Sequence, residues 1–172
     1  ELVLLEFPIK DNWSLGIDYY YPWAVSERNR WCGEMLGIFV DAKYWFPGEK
    51  YQWTKAQRLQ GHAIGIYGGA GYYDYQNISH GYQGEYIDAG VDYTFALPVG
   101  PKDNKWMRIE FNLGIGWIRT WARHYSPSDD FSQLIKDPGV KNLLFDYFGP
   151  TRASVSFVLP ISATYKIKGG SR

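Results

Sequence analysis

The chain is 172 residues long, 19 % aromatic, with 19 glycines and charges that balance to a formal net of +0. That length suits one domain over residues 1–172, and the neutral balance gives no basic field for nucleic acid. The longest apolar runs fall far short of the ~20 residues that a membrane-spanning helix needs, which excludes a helical membrane protein and leaves a barrel open, since barrel strands average to low hydropathy.

Period-two alternation dominates, in segments separated by Pro, Gly, Asn and Asp clusters. Residues 1–7 are the least regular, with Val3, Leu5 and Phe7 opposite Leu4 and Glu6. A short turn at 8–12 leads to Leu15, Ile17, Tyr19 and Tyr21 against Gly16, Asp18 and Tyr20. After an excursion at 23–32, Leu36, Ile38, Val40, Ala42 and Tyr44 oppose Gly37, Phe39, Asp41 and Lys43. A connection at 47–61 precedes the strand 62–75, with Ile64, Ile66, Ala70 and Tyr72 on one face and Gly65, Tyr67, Gly69, Gly71 and Tyr73 on the other. An excursion at 76–85 separates this from 86–97, where Ile87, Ala89, Val91, Tyr93, Phe95 and Leu97 oppose Asp88, Gly90, Asp92, Thr94 and Ala96. A turn at 98–105 precedes the strand 106–121, with Met107, Ile109, Phe111, Leu113, Ile115 and Trp117 against Arg108, Glu110, Asn112, Gly114 and Gly116. The longest excursion, 124–150, leads to Ala153, Val155, Phe157 and Leu159 against Arg152, Ser154 and Ser156, a parity that continues past Pro160 to Ile167.

Connections that alternate between short and long are expected of an outer-membrane barrel with short periplasmic turns and longer extracellular loops. Only 47–61 is longer than that pattern expects of a periplasmic turn. The expected fold is therefore an all-β, antiparallel up-and-down transmembrane β-barrel of eight strands, seven of them visible. The last strand descends from the longest loop, so both termini of the full barrel are expected in the periplasm, and one ascending strand is expected before Glu1.

The inward positions carry Glu6, Asp18, Asp41, Asp88, Asp92 and Glu110 but only Lys43, Arg108 and Arg152 as bases. These form an expected structural charge network, and its acidic excess calls for an inward base from the absent strand. The alternative is a soluble barrel or sandwich with the apolar face inside. Against it stand a polar face rich in Gly and almost free of Lys, and aromatic residues such as Trp13, Tyr21, Trp23, Trp45, Trp106 and Trp121 near strand ends, as in interfacial girdles.

The runs Gly81-Tyr82-Gln83-Gly84, Tyr44-Trp45-Phe46, Gly61-His62 and Tyr147-Phe148-Gly149-Pro150-Thr151 resemble an uncharacterised family of small outer-membrane barrels in Bacteroidota, often encoded beside fimbrillin genes. The resemblance covers essentially the whole chain. It implies an outer-membrane location and a preceding strand with a Lys-Thr-Asn-like start, and it supplies no catalytic residues.

No catalytic residue, cofactor or metal site is expected. An eight-stranded barrel is only wide enough for its own side chains, which argues against a diffusion channel. His80 beside Ser79, and His124 with Ser126 and Asp129, are the weak candidates for a rim-located lipid-modifying enzyme; neither shows a nucleophile elbow. Cys32 has no internal partner. The excursion 124–150 is the candidate recognition loop, because Phe131, Leu134, Ile135, Leu143, Leu144 and Phe145 give it more apolar weight than an idle loop needs; a plug over the barrel mouth is the alternative. The expected role is a non-enzymatic outer-membrane protein that anchors, scaffolds or accompanies a larger surface assembly, fimbrial or transport, with outer-membrane lipid and a further outer-membrane or surface protein as partners.

Overall fold

A computed structural model describes residues 2–10, 12–26, 28, 30–46, 59–100, 107–128 and 133–159. They form an all-β, antiparallel up-and-down sheet: β1 Leu2–Lys10, β2 Trp13–Tyr20, β3 Trp23–Ser26, β4 Trp31–Trp45, β5 Gly61–Gln76, β6 Gly81–Val99, β7 Met107–Pro127, β8 Leu134–Lys136 and β9 Leu143–Val158. The long strands pair in the order β1-β2-β4-β5-β6-β7-β9. The short strand β3 carries the line of β2 onward along β4, and β8 carries the line of β9 onward along β7.

The sheet is not closed. Among the described residues β1 pairs only with β2, and β9 only with β7. It is nevertheless strongly curled, because Arg108 on β7 reaches Glu6 on β1, and Arg152 on β9 reaches Asp18 on β2. Six antiparallel pairings separate β1 from β9, so the two edges run in the same direction.

The alternation in the sequence becomes two faces, because successive side chains of a strand point to opposite sides. Val91, Leu113 and Val155 on the convex face are 59 %, 65 % and 56 % exposed, whereas Asp92 and Glu110 on the concave face are 4 % and 2 % exposed. Glycines on the concave face make room for larger neighbours: a Cβ on Gly90 would stand 2.5 Å from the Tyr67 hydroxyl and 2.7 Å from the Gly116 Cα.

Several strands run further than the alternation indicates. The excursion expected at 76–85 shrinks to residues 77–80, because the Asn77 side-chain oxygen accepts from the backbone N–H groups of Ser79 at 3.0 Å and His80 at 2.8 Å and folds a tight turn. The excursion expected at 124–150 is likewise mostly strand: β7 runs to Pro127 and β9 begins at Leu143. Leu143, Leu144 and Phe145 therefore pair with Ala122, Trp121 and Thr120 of β7 instead of lying in a loop. Between β8 and β9, which run in the same direction along β7, the chain turns at Pro138 and Gly139, whose φ of 87° suits glycine.

The register on β9 shifts opposite Gly114 and Ile115, where Arg152 pairs with Gly114 and Pro150 with Ile115. Thr151 is the extra residue of a β-bulge, and both Thr151 and Arg152 point into the concave side. The alternation consequently changes phase: Phe157 and Val155 face outward below the bulge, and Phe148 and Leu144 above it, while Phe145 and Tyr147 line the concavity. Pro150 is accommodated because β9 pairs on one side only among the described residues. Most of the 47–61 and 98–105 connections, Asp129, Phe131 and the continuation beyond Leu159 lie outside the described residues.

Candidate functional site

The lumen of the curled sheet has two halves. The half towards Asn12 and Gly100 is ionic. Lys43 stands 3.6 Å from Asp41, 3.7 Å from Glu110 and 4.0 Å from Glu6. Arg108 pairs with both Glu6 and Glu110. Arg152 pairs with Asp18, lies 3.1 Å from Asp92 and 3.9 Å from Asp41. Neutral groups extend the network: the Asn112 amide donates to Asp92 and to Thr94, each at 2.8 Å, and Ser14 donates to Glu6 at 2.5 Å while accepting from the Trp45 indole at 2.9 Å. Trp45 packs with Leu59, Ala63 and Ala96 in a small apolar cluster that backs this end.

Three bases thus serve five acids. The sixth inward acid, Asp88, is apart from them, one turn of alternation nearer the other end of β6 than Gly90. Asp88 is 6 % exposed, makes no ion pair among the described residues, and its Oδ1 has no hydrogen-bond partner.

The half towards the longer connections is aromatic. Phe39, Tyr67 and Tyr86 form a buried cluster, with Tyr20, Tyr73, Met35 and Ile118 packed against it. The hydroxyls of Tyr20 and Tyr86 lie 2.5 Å apart, Thr120 donates to the Tyr73 hydroxyl at 2.9 Å, and Tyr67 pairs with Thr151 across the lumen. These groups border an open cavity of about 770 Å³ that runs down to Lys43 and Glu110.

At the rim, His124 bonds through Nδ1 to Asp137, a partner the sequence did not reveal. The Ser126 hydroxyl and then the His124 ring hold the Asp137 carboxyl below its ordinary range. The ring of His80 lies 5.2 Å from that of His124, and Tyr82 meets His124 edge-on at 5.0 Å. Asp129 lies outside the described residues, and Ser126 engages the carboxylate. His62 bonds to the Tyr93 hydroxyl at 2.5 Å on the exposed face. Among the described residues no group of three or more His, Cys, Asp or Glu is placed to hold a metal ion. Of the expected recognition residues, Ile135, Leu143, Leu144 and Phe145 are exposed, and Phe145 also borders the cavity; Phe131 and the Leu134 side chain lie outside the described residues.

No curated protein and no solved structure matches the chain. One family model does, over residues 3–161, which takes in every described strand but the first residue of β1. The chain accordingly belongs to the family described as protein of unknown function DUF3575.

Proposed function

We propose that the protein is a non-enzymatic outer-membrane β-barrel that anchors, scaffolds or accompanies a larger cell-surface assembly. The observation that carries the membrane part is the convex face. Outward positions of β7 from Met107 to Trp117 are all apolar; at about 3.4 Å per residue and a tilt of about 40°, this belt is roughly 25 Å tall, the height of a barrel's lipid-facing band. The belt ends in aromatic and charged groups on the side of the long connections, where Arg119 pairs with Asp146 at 2.8 Å, lies over the Trp117 ring at 5.1 Å, and Arg123 pairs with Glu85. On the other side Trp13, Tyr44 and Phe46 pack in sequence, with ring centroids 5.3 and 5.7 Å apart. A soluble protein rarely leaves so much contiguous apolar surface in water.

The finer architecture belongs to the same reading. An eighth strand, antiparallel to both β1 and β9, fits between their free edges and completes the barrel, with both termini in the periplasm. The anchoring or accessory role rests on the resemblance to Bacteroidota barrels encoded beside fimbrillin genes and on the absence of an assembled catalytic group among the described residues. A lipid-modifying enzyme would have to work from His80 beside Ser79, whose hydroxyl donates to Asn77 at 3.2 Å, or from the His124–Asp137 pair, where Ser126 bonds the carboxylate.

Membrane fractionation tests the first part. The protein should resist extraction by high salt and alkaline carbonate, enter solution with detergent, and migrate differently before and after boiling; release into the aqueous phase without detergent would refute it. A native pull-down from outer membranes tests the second, and a stoichiometric surface protein is the expected companion.

A further inference from the structure

We propose that the aromatic half of the lumen is a binding site for an organic cation, an ammonium carried on an apolar body, with Asp88 as its counter-ion. This goes beyond the membrane reading and rests on it in one respect, that the strand closing the barrel brings its inward base to the ionic half and not to Asp88.

The argument starts from a contrast within one ion network. Glu6, Asp18, Asp41, Asp92 and Glu110 each lie within ion-pair distance of Lys43, Arg108 or Arg152. Asp88 does not, although it is as little exposed as Asp18; it takes a hydrogen bond from the Ala89 backbone and borders the cavity with Oδ1 unpartnered, as Asp92 Oδ1 also is. A buried carboxylate is costly unless a positive charge or hydrogen bonds compensate it. Arg152 does not supply that charge, because its guanidinium is already engaged by Asp18 and Asp92 with Asp41 beside it, over the Tyr67 ring at 4.9 Å.

The surroundings specify the kind of cation. One carboxylate among aromatic rings is a poor site for Ca²⁺ or Mg²⁺, which need six or more oxygens or an ordered water shell. Ring faces attract an ammonium or guanidinium instead, and they do so more strongly where water is excluded. Tyr20 and Tyr86 supply those rings, since Arg152 already lies over Phe39 at 6.0 Å and over Tyr67 at 4.9 Å, and the charge of Asp88 bears on both tyrosines. The cavity of about 770 Å³ is far larger than an ammonium alone requires and falls within the range of small-molecule sites, so the cation brings an apolar portion with it.

Calorimetric titration of the detergent-solubilised full chain with 2-phenylethylammonium, and with the neutral 2-phenylethanol as control, tests the site. The expected result is binding of the cation with a dissociation constant below about 1 mM, at least about tenfold weaker binding of the alcohol, and a loss of about tenfold or more in Asp88→Asn. Tyr86→Phe, which keeps the ring and removes the hydroxyl, should retain the cation. Asp88→Asn is checked by its heat-dependent migration, which reports the folded sheet separately from ligand binding. Equal binding of amine and alcohol, unchanged affinity in folded Asp88→Asn, or no binding of the amine at about 1 mM each overturns the proposal.

Discussion

The two halves of the lumen are built from the same strands, yet they solve the burial of polar groups in opposite ways. The ionic half cross-links: Lys43, Arg108 and Arg152 tie β1, β2, β4, β6, β7 and β9 together through shared carboxylates. The aromatic half fills space with rings and leaves Asp88 without a counter-charge among the described residues. The lesson is that an inward acid has no fixed structural meaning. In one half its removal should weaken the sheet, and in the other it should strengthen it.

The largest expected effect is in the ionic half. Lys43→Met removes the ammonium shared by Glu6, Asp41 and Glu110, all almost fully buried, and should cost about 3–5 kcal/mol in urea unfolding of the micelle-bound protein. A loss below about 1 kcal/mol would mean that Arg108 alone carries this end. Next comes the boundary between the halves. Gly90→Ala drives a methyl against the Ile115 carbonyl and the Tyr67 hydroxyl and should cost about 1–3 kcal/mol in the same assay. Tyr67→Phe in the Gly90→Ala background should recover part of that loss.

Asp88→Asn should reverse the sign. Without a bound cation it relieves an unpaired buried carboxylate and should raise stability by about 1 kcal/mol; a loss comparable to that of Lys43→Met would erase the distinction between the halves. The smallest effect is expected at the rim, outside the lumen altogether. The Asp137 carboxyl is held below its ordinary range by Ser126 and His124, so what it contributes is complete above the usual carboxylate titration and is lost as pH falls through the lowered folded value. Hydrogen exchange of residues 134–142 should therefore accelerate only in strong acid, with the core of β6 unchanged.

How much of this could be read in the sequence follows from what alternation does and does not encode. The faces of β2, β4, β5, β6 and β7 were legible because a strand's side-chain period is fixed at two. Strand ends were not. Near the rim, residues such as Tyr82, Gln83, Arg123 and His124 suit both faces of a strand and a loop alike, so β6 looked shorter than its span from Gly81 and β7 shorter than its reach to Pro127. The phase change at Thr151 was hidden as well, because alternation below it is clean and nothing local announces a bulge. Membership of the inward charge set was legible, but the isolation of Asp88 was not, since it depends on which level of the lumen each base reaches. The Asp137 partner of His124 lies across a chain reversal that spacing alone does not locate.

The bulge on β9 has a consequence for how this strand tolerates changes of length. Thr151 is the surplus residue in the register, so deleting it would bring Pro150 next to Arg152 and give a strand in which every remaining side chain keeps its present side. A one-residue deletion at Ser154 or Phe148 would instead carry an arm of the strand through a half-turn, sending greasy groups towards Asp92 or Thr120 and their polar neighbours outward. Single-residue gaps among relatives of this chain should accordingly collect at Thr151.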